Sequence, residues 1–146
     1  MPLFAKTLLI LLSTTLLLAT GCSRHTEYEQ LQQKAKSSLN PIELQKQVQP
    51  LLGKFQGSQD VPLQNIPPSL TNLYAGPPNH AFAEEYQGGK FLTVDWGGPD
   101  WDFGLMIGNG SLKDDDDSNI APRVIDHWTN GVYFWRNGRR SSFRLY

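Results

Sequence analysis

A single cysteine, Cys22, is the only thiol in this 146-residue chain. That scarcity excludes an intramolecular disulfide. A sulfur-based metal site finds little support, because His25, His80 and His127 lack the spacing that would complete a ligand set around one thiolate. Charge of one sign is also missing: 13 Lys and Arg stand against 14 Asp and Glu, a formal net charge of −1. No basic field exists to draw in nucleic acid. No apolar run reaches the ~20 residues that a membrane-spanning helix needs. No period of roughly 20 to 50 residues repeats, which removes solenoids and propellers. The hydrolase, kinase, zinc-protease and dinucleotide motifs are absent, so neither a nucleophile, a cofactor nor a metal is expected from pattern.

What is present begins at the N-terminus. In "MPLFAKTLLILLSTTLLLATGC", Lys6 precedes an apolar core from about Leu8 to Ala19, and small residues lead into Cys22. That is the layout of a cleaved export signal. "LATGC" resembles the lipobox of bacterial lipoprotein signal peptides, although Ala19 stands where leucine is commoner. The resemblance covers residues 1–23. It implies diacylglyceryl transfer to Cys22, cleavage before it, and acyl chains such as palmitate anchoring the mature protein in the envelope. Ser23 rather than aspartate after the cysteine is similar to lipoproteins held in the outer membrane, facing the periplasm. Each buried methylene contributes ~0.8 kcal/mol, so one acyl chain holds weakly and two or more hold firmly. Removal of residues 1–21 leaves 125 residues with 12 basic and 14 acidic side chains. That length suits one domain.

After Cys22, Tyr28, Leu31, Ala35 and Leu39 share one thin helical face, which predicts a short, mostly solvated helix near 26–37 or a tether over 22–39. From residue 40 to 146 the pattern predicts a single α+β domain. Asn40, Pro41 and Glu43 mark a helix start. Ile42, Leu44, Val48, Leu51, Leu52 and Phe55 would form its apolar face, with Pro50 kinking or ending it. Residues 57–79 carry prolines at 62, 67, 68, 77 and 78, which predicts an ordered loop with a helical turn near 69–74. Beyond Asn79 the period becomes two. "HAFAEEY", "KFLTVDW", "DFGLMIG", "RVIDHW", "GVYFWR" and "SFRLY" predict an antiparallel β-meander of about five to six short strands behind N-terminal helices. Asn137-Gly138 is the strongest hairpin signal, and Asn130-Gly131 is a second.

Candidate chemistry concentrates in "VDWGGPDWDFG". Asp95, Trp96, Asp100, Trp101 and Asp102 form either a ligand-binding rim, with indoles stacking on a sugar or apolar ligand and carboxylates accepting hydrogen bonds, or a tight turn whose aromatics cap the core. The aspartate run 114–117 lacks the alternating ligands and glycine of a calcium loop, so hydration is its expected fate. Asp126 and His127 sit side by side but would point to opposite faces of a strand. Arg136, Arg139, Arg140 and Arg144 make a basic corner that suits lipid headgroups, an acidic partner or a soluble sheet edge.

These features lead to one expectation: a lipid-anchored envelope protein whose small non-enzymatic domain binds a protein or polysaccharide. The alternatives are a small hydrolase using His127 with the aspartates of the 96–102 loop, and an anchored inhibitor or immunity protein.

Overall fold

The computed structural model describes residues 23–98, 101–113 and 123–137, with side chains from residue 26 onward. It is an α+β structure in which helices precede a six-stranded antiparallel sheet. Helix α1 spans Ser23–Ser38 and α2 spans Pro41–Leu52. A two-residue strand β1 (Gln59–Asp60), a 3-10 turn (Leu63–Asn65) and the short α3 (Pro68–Thr71) follow. The remaining strands are β2 His80–Tyr86, β3 Gly89–Asp95, β4 Phe103–Gly108, β5 Arg123–Thr129 and β6 Val132–Asn137.

Helix α2 starts as its sequence dictates. The Asn40 side chain accepts from the Ile42 and Glu43 N–H groups (3.0 and 3.2 Å), and Pro41 occupies the first turn, where its missing N–H costs nothing. Leu44, Val48 and Leu52, spaced four apart, are buried. Ile42 is the departure, being 62% exposed. Pro50 is accommodated inside the last turn, and the helix ends at Leu52. Helix α1 is not a tether: as expected, most of its described side chains are exposed, and its thin stripe of Tyr28, Leu31 and Ala35 enters the same core cluster as the sheet. Alanine gives little hydrophobic signal in a sequence, yet here it lets the helix approach closely. The loop before β2 is ordered by burial of Val61, Ile66, Leu70 and Leu73.

Strands β2 and β3 join through Gln87 and Gly88, both at positive φ (48° and 80°), as a type I′ hairpin requires. The Asn130-Gly131 turn joins β5 to β6, with Gly131 at φ 81°. The sheet order is β1-β2-β3-β4-β6-β5, so the expected meander holds except that β6 returns between β4 and β5. Burial explains the exchange. Val132 to Trp135 are all buried, whereas β5 carries Arg123, Asp126 and His127 and suits an edge. Because β4 and β5 flank β6 from Val132 to Asn137, that strand has no edge left for a following hairpin partner. This corrects the expected Asn137-Gly138 hairpin with "SFRLY"; Gly138 and residues 142–146 themselves lie outside the described residues.

Both faces of the sheet are occupied. The helices cover Leu92, Val94, Phe103, Leu105, Ile107, Val132 and Phe134. The opposite face gathers Phe91, Met106, Leu112, Ile125, Tyr133 and Trp135. On that face Arg123 of β5 meets Glu84 of β2 at 2.6 Å. Three strands lie between them, which in a flat sheet would set them ~19 Å apart at the usual ~4.8 Å spacing. The sheet therefore curls toward this face. Gly104 permits the bend, since a Cβ there would strike the Val94 carbonyl of the neighbouring strand. Arg123 also lies over Tyr86 and Trp135, 4.9 and 5.1 Å from their ring centroids.

Candidate functional site

The site lies at the end of the sheet where β2 begins, β3 ends and β4 begins. An open depression of about 500 Å³ is lined there by Asn79, His80, Asp95, Gly97, Gly98 and Asp102. Register creates it: His80 and Asp95 are direct cross-strand partners on the concave face. The Asn79 N–H donates to the Asp95 carbonyl (2.7 Å), and the Asn79 side-chain amide donates to the Gly97 carbonyl. Gly97 itself admits no side chain, because a Cβ would run into the Trp101 carbonyl and Asp102 Cα.

Asp95 is only 8% exposed. Its Oδ1 accepts from the Gly97 N–H at 2.7 Å. Burial pushes its carboxyl above the ordinary aspartate range. The Asp102 charge pushes the same way, while N–H groups of Gly97 and Phe103 and the His80 imidazole pull it back. Asp102 is fixed from the far side: Asn137 donates its side-chain amide to Oδ2 (2.6 Å) and its backbone N–H to the Asp102 carbonyl (3.0 Å). The depression thus offers two immobilised carboxylates with an imidazole and an amide at the rim. Such a surface can hold a ligand rich in hydroxyl, amide or ammonium donors. Among the described residues no group of three His, Cys, Asp or Glu is placed to hold a metal.

Of the residues singled out by sequence, Asp95 and Asp102 come together here. Trp96 does not join a stacking rim. It is 9% exposed within the core cluster, so its ring is taken up by packing. Trp101 is half-buried and packs against the same cluster. Asp100, the aspartate run, Arg139, Arg140, Arg144 and the lipidation residue Cys22 lie outside the described residues. His127 is not among the lining residues; it sits on β5 with its ring 4.9 Å from that of Tyr133. Its neighbour Asp126 faces the helices, accepting from Tyr28 and Gln32. His80 was not a sequence candidate. Nothing local marked it, since its role depends on a strand register set 15 residues away.

No family model matches the chain, and neither a curated protein nor a solved structure matches it.

Proposed function

We propose that this is a lipoprotein of the bacterial envelope, anchored through acylated Cys22 in the outer membrane and facing the periplasm, whose folded domain binds a protein or polysaccharide. The observation that carries the binding reading is the depression between Asn79 and Asp102. Its acceptors Asp95 and Asp102 are held in place by Gly97 and Asn137 rather than free to rotate. Preorganised polar groups in a wide, shallow site favour recognition of an extended donor-rich surface.

The test compares full chains expressed in a bacterium, wild type against Asp102→Asn. Capture by isolated envelope polysaccharide, or crosslinking to one envelope protein, should weaken in the variant while its thermal unfolding stays close to wild type. Undiminished capture would remove the depression from the binding reading. The anchor is tested with Cys22→Ser, which should lose fatty-acid label and leave the membrane fraction.

One observation favours a second reading, a small hydrolase. Asp95 is held toward its protonated form beside Asp102, the arrangement of an acid paired with a base. In that case His80, not His127, is the imidazole at hand. Hydrolysis of an envelope polymer that disappears in Asp95→Asn, with binding retained, would favour it.

A further inference from the structure

We infer that the Asn79–Asp102 depression receives the side-chain ammonium of a lysine on a protein partner, an inference that rests on the binding reading of that site. Its hydrogen bonding is one-sided, because the donors around it are already engaged by the protein. The Asn79 N–H goes to the Asp95 carbonyl, and the Asn79 side-chain amide to the Gly97 carbonyl. The Gly97 N–H goes to Asp95 Oδ1, the Gly98 N–H to the Trp101 carbonyl, and the Asn137 side-chain amide to Asp102 Oδ2. Asp95 Oδ2, Asp102 Oδ1 and Asn79 Oδ1 meet no hydrogen-bond donor among the described residues, and all three belong to side chains lining the depression. Asp95 is only 8% exposed, so little water reaches its second oxygen. An acceptor so placed gains from any donor a ligand brings.

The two carboxylates also repel each other, and the Asp102 charge is part of what holds the Asp95 carboxyl above its ordinary range. A cation between them relieves that repulsion and supplies the missing donors at once. Among the described residues no group of three ligating side chains is placed to make that cation a metal. A guanidinium binds best to both oxygens of one carboxylate through a parallel pair of bonds. Here Asp95 Oδ1 and Asp102 Oδ2 are each committed to a protein donor. An ammonium directs three N–H bonds to separate acceptors, and one oxygen from each aspartate with the Asn79 carbonyl answers that geometry. The His80 imidazole, facing Asp95 across the strand pair, adds an acceptor nitrogen in its neutral form. A protein carries the ammonium better than an amino sugar does, because the indoles that would stack on a sugar ring, Trp96 and Trp101, are packed against the core. The rest of the lining is glycine backbone, open at Gly98, which a partner chain can approach closely.

The test titrates the full chain, isotope-labelled and held in detergent micelles, with a blocked glycine-lysine-glycine peptide while the Gly97 and Gly98 amide resonances are followed. These should shift saturably. The same peptide with norleucine, which keeps the carbon chain without the charge, should leave them unmoved, and the arginine peptide should bind several-fold more weakly than lysine. Asp102→Asn should weaken the lysine peptide roughly tenfold or more, as for loss of a hydrogen bond to a charged group. Gly98→Lys, at an exposed position where a side chain meets open space, should abolish binding by setting the protein's own ammonium on the rim. It keeps the test valid if Asp102→Asn fails to fold. No shift with lysine, equal shifts with norleucine, arginine binding as tight as lysine, or full affinity in a folded variant overturns the ammonium site. Tighter binding of a glucosamine trimer overturns the protein partner. Envelope extract with its lysines acetylated separates this inference from the reading beneath it. Capture that needs Asp102 but survives acetylation overturns the lysine and leaves the binding depression standing; capture indifferent to Asp102→Asn removes the depression itself.

Discussion

The hydroxyl of Tyr28 donates to Asp126 Oδ2 across 2.6 Å, joining the first helix to the edge strand of the sheet. Burial, then the neighbouring carboxylate, drives the phenol far above the usual tyrosine range, so it remains a donor at any physiological pH. Tyr28→Phe removes this bond while keeping the ring against Phe103. Hydrogen bonds to charged groups contribute ~1.5–3 kcal/mol, and Gln32 still serves Asp126, so a loss of about 1–2 kcal/mol is expected. Tyr28→Ala, which also empties the space under α1, should cost roughly 3–5 kcal/mol. Denaturant unfolding of both variants checks the order. An unchanged Tyr28→Phe would mean that the hydroxyl contributes nothing, and equal losses in the two variants that the ring adds nothing to it.

Asp95 gives a pH signature. Its folded pKa lies above the ordinary value of 3.8, so the folded state holds its proton more tightly than the unfolded chain does. The stability from this group is fully present below the unfolded value and is lost as pH rises through the folded one. Asp95→Asn removes the charge and should be more stable than wild type at pH 7. That advantage should shrink as pH falls and disappear below the unfolded value. Unfolding free energies from neutral to acid pH measure it; a gap that widens toward acid reverses the sign and overturns the assignment.

Arg123 and Glu84 hold the two sides of the curled sheet together, and Glu84 also accepts from the buried Thr93 hydroxyl at 2.6 Å. Their side chains keep 19% and 11% exposure, so water screens the pair little but does reach it. Arg123→Ala should cost about 2–4 kcal/mol, somewhat below the loss for a fully buried pair whose partner is left alone. In the double variant with Glu84→Ala the losses should fall short of additivity, as for any directly coupled pair. Strict additivity in a double-mutant cycle would show that the contact carries no coupling.

The two tryptophans of the 96–102 loop should separate by stability. Trp96→Ala opens a core position and should cost roughly 3–5 kcal/mol. Trp101→Ala, losing a half-buried ring, should cost about half as much. Ligand capture by Trp101→Ala should fall only in proportion to the fraction unfolded. A selective loss of capture in a stable Trp101→Ala protein would restore that indole to the binding surface.

Much of this was legible in the sequence wherever the signal is local. Asn40-Pro41 marked a helix start by side-chain chemistry alone, and alternation located β2 to β6 within a residue or two. Contacts set by distant partners were hidden. A two-residue strand such as β1 is too short to alternate. The place of β6 between β4 and β5 depends on burial of both its faces, which a strand-by-strand reading does not weigh. Tyr28, Leu31 and Ala35 looked too sparse to hold a helix in a core, because alanine contributes close approach rather than hydrophobic area. At the site, the two aspartates were visible in one short run, but the histidine facing them was not.

The position of β6 also bears on how the chain becomes folded as it emerges N-terminus first. β6 follows β5 in sequence yet lies between β4 and β5, so β5 has no neighbour, and β4 is paired on one side only, until Val132 to Asn137 is available. Tyr28 likewise waits for Phe103, Asp126 and Arg136, all in the last third of the polypeptide. Such non-local pairing delays closure of the fold. A chain threaded through a narrow channel would therefore stay pliable until β6 had passed, and would lock α1 only then.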